Sequence, residues 1–173
     1  GNLVQINGAH PHLIMHPTGK YMYIVCEQVT AVLRSDYNPI TKEFEYPRVI
    51  AGHLSATGYT DGVGGAARFD RIYAGVFVKN REYEAAGKED IYDFYATEKW
   101  NCDVRKITPE GVVTTFAGRS NSSSDGKTYG YVDGDLRQEA RFNQPIGITY
   151  DEEMETFYIG ELENHDIRYI TTE

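Results

Sequence analysis

The chain has 173 residues, enough to bury one core, and no linker or shift in composition divides it. A net charge of −9 with no basic stripe excludes a phosphate backbone, and hence nucleic acid, as partner, and suits neutral polar ligands or cations. The apolar runs fall far short of a membrane span, and no charged-then-apolar leader opens the chain.

Aromatic residues make up 13%, among them 14 Tyr, and β-branched residues cluster in short runs punctuated by Gly and Pro, which reads as all-β. In chain order, strands are expected at His12–Met15, Tyr21–Cys26 and Val29–Arg34, with an outer strand at Tyr46–Ala51. A Gly-rich connector covers 52–66. The motif Ala-Arg-Phe then opens a strand at 67–78, and a charged insertion, Lys79–Asp90, is a surface excursion with a helical turn. Strands follow at Ile91–Ala96 and Val104–Ile107, with an outer strand at Val112–Ala117. After a second connector, 118–139, Ala-Arg-Phe returns at 140, and the strand Phe157–Ile159 precedes a last one ending near Ile170.

This order is a repeat. Ala67-Arg68-Phe69 and Ala140-Arg141-Phe142 match, as do Glu98…Asn101…Arg105 and Glu161…Asn164…Arg168. The insertion accounts for the unequal spacing, and the front of the chain is a third, more diverged copy. Several short strands per long period signal a repeat architecture. Each connector carries an Asp-Gly turn, Asp61-Gly62 or Asp133-Gly134, since Gly accepts positive φ. Tyr21–Cys26, Ile91–Ala96 and Phe157–Ile159 are apolar on both faces, as strands are when their sheet is packed on each side.

The expected fold is therefore an all-β propeller, to which this chain contributes about three four-stranded blades: 10–52, 67–118, and a final three-stranded blade at 140–173. Residues 1–9 align with Gly111–Ala117 and read as the outer strand of a preceding blade, with Leu3–Ile6 pairing outside the first sheet. Because rings use roughly four to eight blades, three need completion by an upstream half of the same polypeptide, the favoured reading, or by a second copy. An open arc exposes two sheet faces, so the isolated chain is not expected to be a stable monomer.

Asn164-His165-Asp-Ile-Arg168, preceded by Ala-Arg-Phe-Asn-Gln-Pro-Ile-Gly-Ile, resembles the NHL repeat. With "LRSDYNPITKEF", "DIYDFYATE" and "ITPEGVVTTFAGR", nearly the whole chain resembles the C-terminal half of bacterial IPT/NHL surface proteins. The resemblance implies a six-bladed NHL propeller behind an IPT/TIG domain. It also implies a lipoprotein at the outer face of the outer membrane or in the periplasm, and carbohydrate binding in glycan acquisition; some such proteins carry hydrolase or phosphatase labels. Two departures stand out: Cys102 replaces the motif's His in copy two, and Val29–Arg34 lacks the Asn-His pair altogether.

Inter-blade and second-to-third-strand loops of a propeller open on one face. That face is expected to collect His10, His12, Arg68, Asp70, Arg141 and Asn143 from the former. From the latter come Glu27, Glu98, Lys99, Trp100, Asn101, Glu161, Glu163, Asn164 and His165. Repeated polar residues suit architecture: Asn101 and Asn164 can bond turn backbone, and Arg68, Arg141, Arg105 and Arg168 can pair with carboxylates between blades. Residues that break the repeat suit function. Trp100, the chain's one Trp, either stacks on a sugar face, with Glu98 and Glu161 accepting from hydroxyls, or packs on a neighbouring blade.

The ligand set expected from the sequence is Trp100, Glu98, Asn101, Glu161, Glu163, Asn164, His165, His10 and His12. No metal or cofactor is assigned. His10, His12 and His165 lack a metal-ligand spacing, Asp125–Asp135 misses the EF-hand pattern at Lys127, and Cys26 and Cys102 read as buried, inert thiols. No nucleophile elbow, phosphate loop or His-Glu-x-x-His occurs, so a non-catalytic binding propeller is the reading. A hydrolase or lyase using mouth carboxylates or a His-bound metal, and a protein-binding scaffold, are the alternatives.

Overall fold

The computed structural model describes residues 10–118 and 128–171. The expected pairing of Leu3–Ile6, the role of 1–9 and part of the 118–139 connector lie outside them. Three antiparallel sheets follow one another along the chain. The first holds β1 (Pro11–Met15), β2 (Tyr21–Cys26), β3 (Val29–Asn38), a short β4 (Glu43–Phe44) and β5 (Arg48–Gly52), with β5 paired to β3. The second runs in the order β6 (Gly62–Val63), β10 (Val112–Gly118), β9 (Asp103–Ile107), β8 (Tyr92–Glu98), β7 (Ile72–Lys79). The third has, among the described residues, β11 (Pro145–Asp151), β12 (Thr156–Glu161) and β13 (Asp166–Thr171).

Strands that are apolar on both faces form because each sheet is covered on both sides. Tyr21, Tyr23, Val25 and Val32 of the first sheet pack on Phe77, Phe94 and Ile107 of the second. The opposite face of the second sheet, with Val78, Val104 and Ala117, packs on Phe157, Ile159 and Ile170 of the third. The first strands of successive sheets touch, β1 on β7 and β7 on β11. Two sheet faces have no neighbour among the described residues. On one, Leu13 and Met15 are 64% and 51% exposed; on the other, Ile167 and Tyr169 are each 70% exposed.

The insertion forms one short helix, α1 (Arg81–Ala85), whose N-terminal Glu82 and Tyr83 amides are capped by the Asn80 side chain. Cross-strand register corrects one equivalence read from the sequence. Arg105 pairs with Ala96 and Thr115, Arg168 with Ile159, and the residue in that row of the first sheet is Leu33, between Ile24 and Val49. Arg34 instead pairs with Tyr23 and so matches Lys106, which pairs with Tyr95.

Candidate functional site

Arg105 is the centre of the polar framework that holds the connector 53–71 against the second sheet. Its Nη1 donates to Glu98 Oε2 at 2.7 Å and to the Arg68 carbonyl at 3.1 Å. Its Nη2 donates to Asp61 Oδ1 at 2.7 Å and to the Thr60 carbonyl at 3.0 Å. Glu98 Oε1 accepts from the Asp70 N–H at 2.6 Å and from the Asn101 amide at 2.9 Å, and that amide also reaches the Gly58 carbonyl. Arg105 and Glu98 are both wholly buried. Burial pushes the Glu98 carboxyl above its usual range against the pull of Arg105, while for Arg105 the carboxylates outweigh burial and hold the guanidinium charged.

The third sheet repeats this arrangement. Arg168 donates to the Arg141 and Val132 carbonyls at 2.6 and 2.8 Å and to Asp133. Glu161 accepts from the Asn143 N–H at 2.5 Å and from Asn164 at 3.2 Å, and Asn164 reaches the Gly130 carbonyl. Burial raises the Glu161 carboxyl as well. Glu98, Asn101, Glu161 and Asn164 thus commit their polar atoms to the frame that holds each connector against its sheet. Arg68 departs from the expected carboxylate pairing: its Nη1 donates to the Gly65 and Ala67 carbonyls at 2.6 and 2.7 Å. A planar guanidinium at a turn finds backbone oxygens nearer than any carboxylate.

Backbone conformation explains another repeated position. Cys102 and His165, each following the repeated Asn, have φ of 57° and 54°, so this site is set by a left-handed turn rather than by a need for imidazole. His10, Arg71 and Gln144, each preceding the first strand of a sheet, have φ of 64°, 63° and 54°. The conformation recurs while the side chain varies, which leaves these side chains available for roles specific to each sheet.

One such group gathers where the first and second sheets meet. Arg71 stacks on the Trp100 ring at 5.1 Å and lies 4.0 Å from both Glu27 and Asp70. Lys99 pairs with the same Glu27 at 3.0 Å and sits 5.8 Å from the Tyr73 ring, which in turn meets the His12 ring at 5.2 Å. Trp100 remains 57% exposed, supported by Arg71 of its own sheet. In the third sheet the corresponding residues are Gln144, Leu162 and Glu163, so Arg71, Lys99 and Trp100 break the repeat together. Arg71 was legible only through this comparison, since surface cations are common in any sequence, whereas Glu27 and Lys99 were already expected on this face.

The structure therefore unites Trp100 and His12 with Glu27, Arg71, Lys99 and Tyr73. His10 is exposed. Glu163 and His165 are exposed in the third sheet, where His165, Leu162 and Ile167 line a shallow groove of about 650 Å³. His10, His12 and His165 do not converge: among the described residues no three His, Cys, Asp or Glu side chains gather to hold a metal ion. Cys26 and Cys102 are buried. Among the described residues no helix is long and apolar enough to cross a membrane.

No family model matches this sequence, and no curated protein does. Solved structures do. An auxiliary nutrient binding protein from Bacteroides thetaiotaomicron is 50% identical, with a TM-score of 0.86 over 92% of this chain and 36% of its own. One from Bacteroides ovatus is 42% identical, with a TM-score of 0.91 over 98% of this chain and 39% of its own. A candidate phosphatase from Bacteroides thetaiotaomicron is 44% identical, with a TM-score of 0.89 over 94% of this chain and 34% of its own. This chain spans little more than a third of the length of the proteins it matches.

Proposed function

We propose that the chain is the three-blade part of an NHL-type, six-bladed β-propeller, joined to an IPT/TIG domain, that binds carbohydrate without catalysis at the bacterial cell surface or in the periplasm. The first strands, stacked side by side, run toward the ring axis, and an upstream half of the same polypeptide covers the two open sheet faces. The ligand sits at the loop end of the sheets, with the exposed Trp100 ring as its platform and His10, His12, Glu163 and His165 around it. Glu98, Asn101, Glu161 and Asn164 act as positioning residues beneath. Likeness to two proteins known as auxiliary nutrient binding proteins supports the reading.

One observation carries the site: a half-exposed Trp with Arg71 against its ring, and Arg71 in turn beside the Glu27 that pairs with Lys99. An aromatic ring fixed on one face and open on the other takes the apolar face of a sugar at little entropic cost. The test is a glycan array followed by calorimetry on the full-length protein. Trp100→Ala is expected to weaken the best oligosaccharide at least tenfold, and absence of any oligosaccharide binding at millimolar concentration would overturn the proposal. The likeness to a candidate phosphatase favours a hydrolase as second reading; turnover of p-nitrophenyl phosphate, lost on replacing His12, would decide for it. A protein-binding scaffold is the third, and a pull-down from native membranes separates it.

A further inference from the structure

The two seams between sheets are built on one plan and filled differently. Between the first and second sheets, Tyr21, Tyr23, Arg34 and His16 face Phe77 and Phe94. His16 stacks on Tyr21 at 4.2 Å, the Arg34 guanidinium lies 3.6 Å over the Tyr21 ring, and Tyr23 meets Phe94 at 5.0 Å. Tyr21 donates to Asp90 at 2.8 Å, and both Tyr21 and His16 are 2% exposed, so this seam is full.

Strand register places Asp93 where the first sheet has Tyr21, Tyr95 for Tyr23, Lys106 for Arg34 and Val78 for His16; Tyr150 and Phe157 stand opposite for Phe77 and Phe94. A phenol ring has become a carboxylate and an imidazole an isopropyl group. The room they would take is a cavity of about 400 Å³ at the seam of the second and third sheets. Its rim is crossed by the Arg81–Glu155 ion pair, and Arg81 belongs to the insertion found only in the second sheet.

We propose that this cavity binds a neutral, polyhydroxylated small molecule of single-sugar size. Asp93 is 1% exposed, and its Oδ2 accepts from Asn80 and from Lys106, both at 2.9 Å. Its Oδ1 accepts no hydrogen bond of normal geometry among the described residues, although the Tyr83 hydroxyl stands near the carboxylate. A buried carboxylate oxygen left short of a hydrogen bond is costly, so a further hydroxyl donor is the chemistry this oxygen would take. Asp93 and Lys106 neutralise each other, which removes any gain from net charge on the ligand. Tyr95 and Tyr150, whose rings lie 4.7 and 4.6 Å from that of Phe157, provide the wall for the ligand's C–H face. The volume falls within the roughly 300–1,000 Å³ of small-molecule sites.

This site is independent of the Trp100 cluster. Asp93 is the second residue of β8 and Trp100 lies two residues past its end, which at strand rise separates them by roughly 20 Å. Saturation-transfer NMR with glucose, galactose, mannose, xylose and myo-inositol tests it on the 173-residue chain carrying Trp100→Ala, which silences the loop-end site proposed above. Transfer to at least one probe is expected. In that background Asp93→Tyr, which refills the seam as Tyr21 does, should abolish it, and Lys106→Met, which keeps the volume, should weaken binding at least tenfold. No transfer to any probe from the folded Trp100→Ala chain, or transfer that survives both Asp93→Tyr and Lys106→Met, would overturn the proposal and leave the Trp100 site standing.

Discussion

Arg105 and Glu98 meet at 2.7 Å with neither side chain exposed, and Arg168 with Glu161 repeats the pairing one sheet on. In the first sheet the same two places hold Leu33 and Cys26, packed in an apolar cluster with Val29 and Ala31. Both partners of a buried pair are lost together there, which is what desolvation demands. Removing one leaves a buried charge uncompensated, whereas replacing both with apolar groups of fitting volume is close to neutral.

A double-mutant cycle tests that coupling. Glu98→Cys and Arg105→Leu are each expected to cost about 3–5 kcal/mol of stability, measured by urea unfolding. The double variant, which copies the first sheet, should lose clearly less than their sum. Additive losses would show that the pair acts as two separate bonds to the backbone.

His16 makes stability depend on pH. Its ring is buried between Tyr21, Phe77 and Tyr92, and burial holds its pKa below 6.5 against the pull of Asp90. The folded chain favours the neutral ring, so this contribution is complete above pH 6.5 and is lost as pH falls from there through the lower folded value. Melting temperature is expected to drop on going from pH 7.5 to pH 5, and His16→Phe should flatten that drop. An equal drop in both proteins would exclude His16 as its source.

Two glycines that end outer strands are sterically required. At Gly118, φ is 87° and a Cβ would stand 2.6 Å from the Phe142 ring and 2.8 Å from the Cys102 carbonyl; at Gly52 it would stand 2.5 Å from the Thr30 carbonyl. Gly118→Ala is expected to cost about 3 kcal/mol from left-handed strain and overpacking together. Gly19→Ala, with φ of 71° but nothing within 4 Å, should cost only about 1 kcal/mol. Thermal unfolding of the two variants checks the order.

The open sheet faces predict self-association of the isolated chain. Leu13 and Met15 at one end, and Ile167 and Tyr169 at the other, make apolar surfaces of the kind that other sheets cover elsewhere in the molecule. Beside β13, where the second sheet has β10, no fourth strand is paired among the described residues. Sedimentation velocity should show association rising with concentration, relieved by Leu13→Lys with Ile167→Lys. A compact monomer across the concentration range would contradict it.

Much of the architecture was legible from one chain because a repeat tests itself. Ala-Arg-Phe at 67 and 140, Glu98 with Glu161, and the Asp-Gly turns announce equivalent places, and the strands fall there since tyrosine-rich runs apolar on both faces suit covered sheets. The helical turn in the insertion was readable from its charge pattern, and the burial of Cys26 from its strand; Cys102 is buried as well, but in the left-handed turn before β9. The equivalence of Leu33, not Arg34, with Arg105 was not, because only strand pairing shows which residue stands opposite Ile24 as Arg105 stands opposite Ala96.

The candidate sites divide along the same line. Sequence by itself singled out Trp100 as the break in the repeat and marked Glu98, Asn101, Glu161 and Asn164 as recurring. Only the tertiary structure decided that those four face inward onto Arg105, Arg168 and the connector backbone, that Arg71 and Lys99 join Trp100, and that Asp93 opens a cavity where Tyr21 closes one. The reason is physical. Strand alternation sets which side of a sheet a residue occupies, but its burial and its partners depend on what the next sheet and its connector place opposite, tens of residues away in the chain.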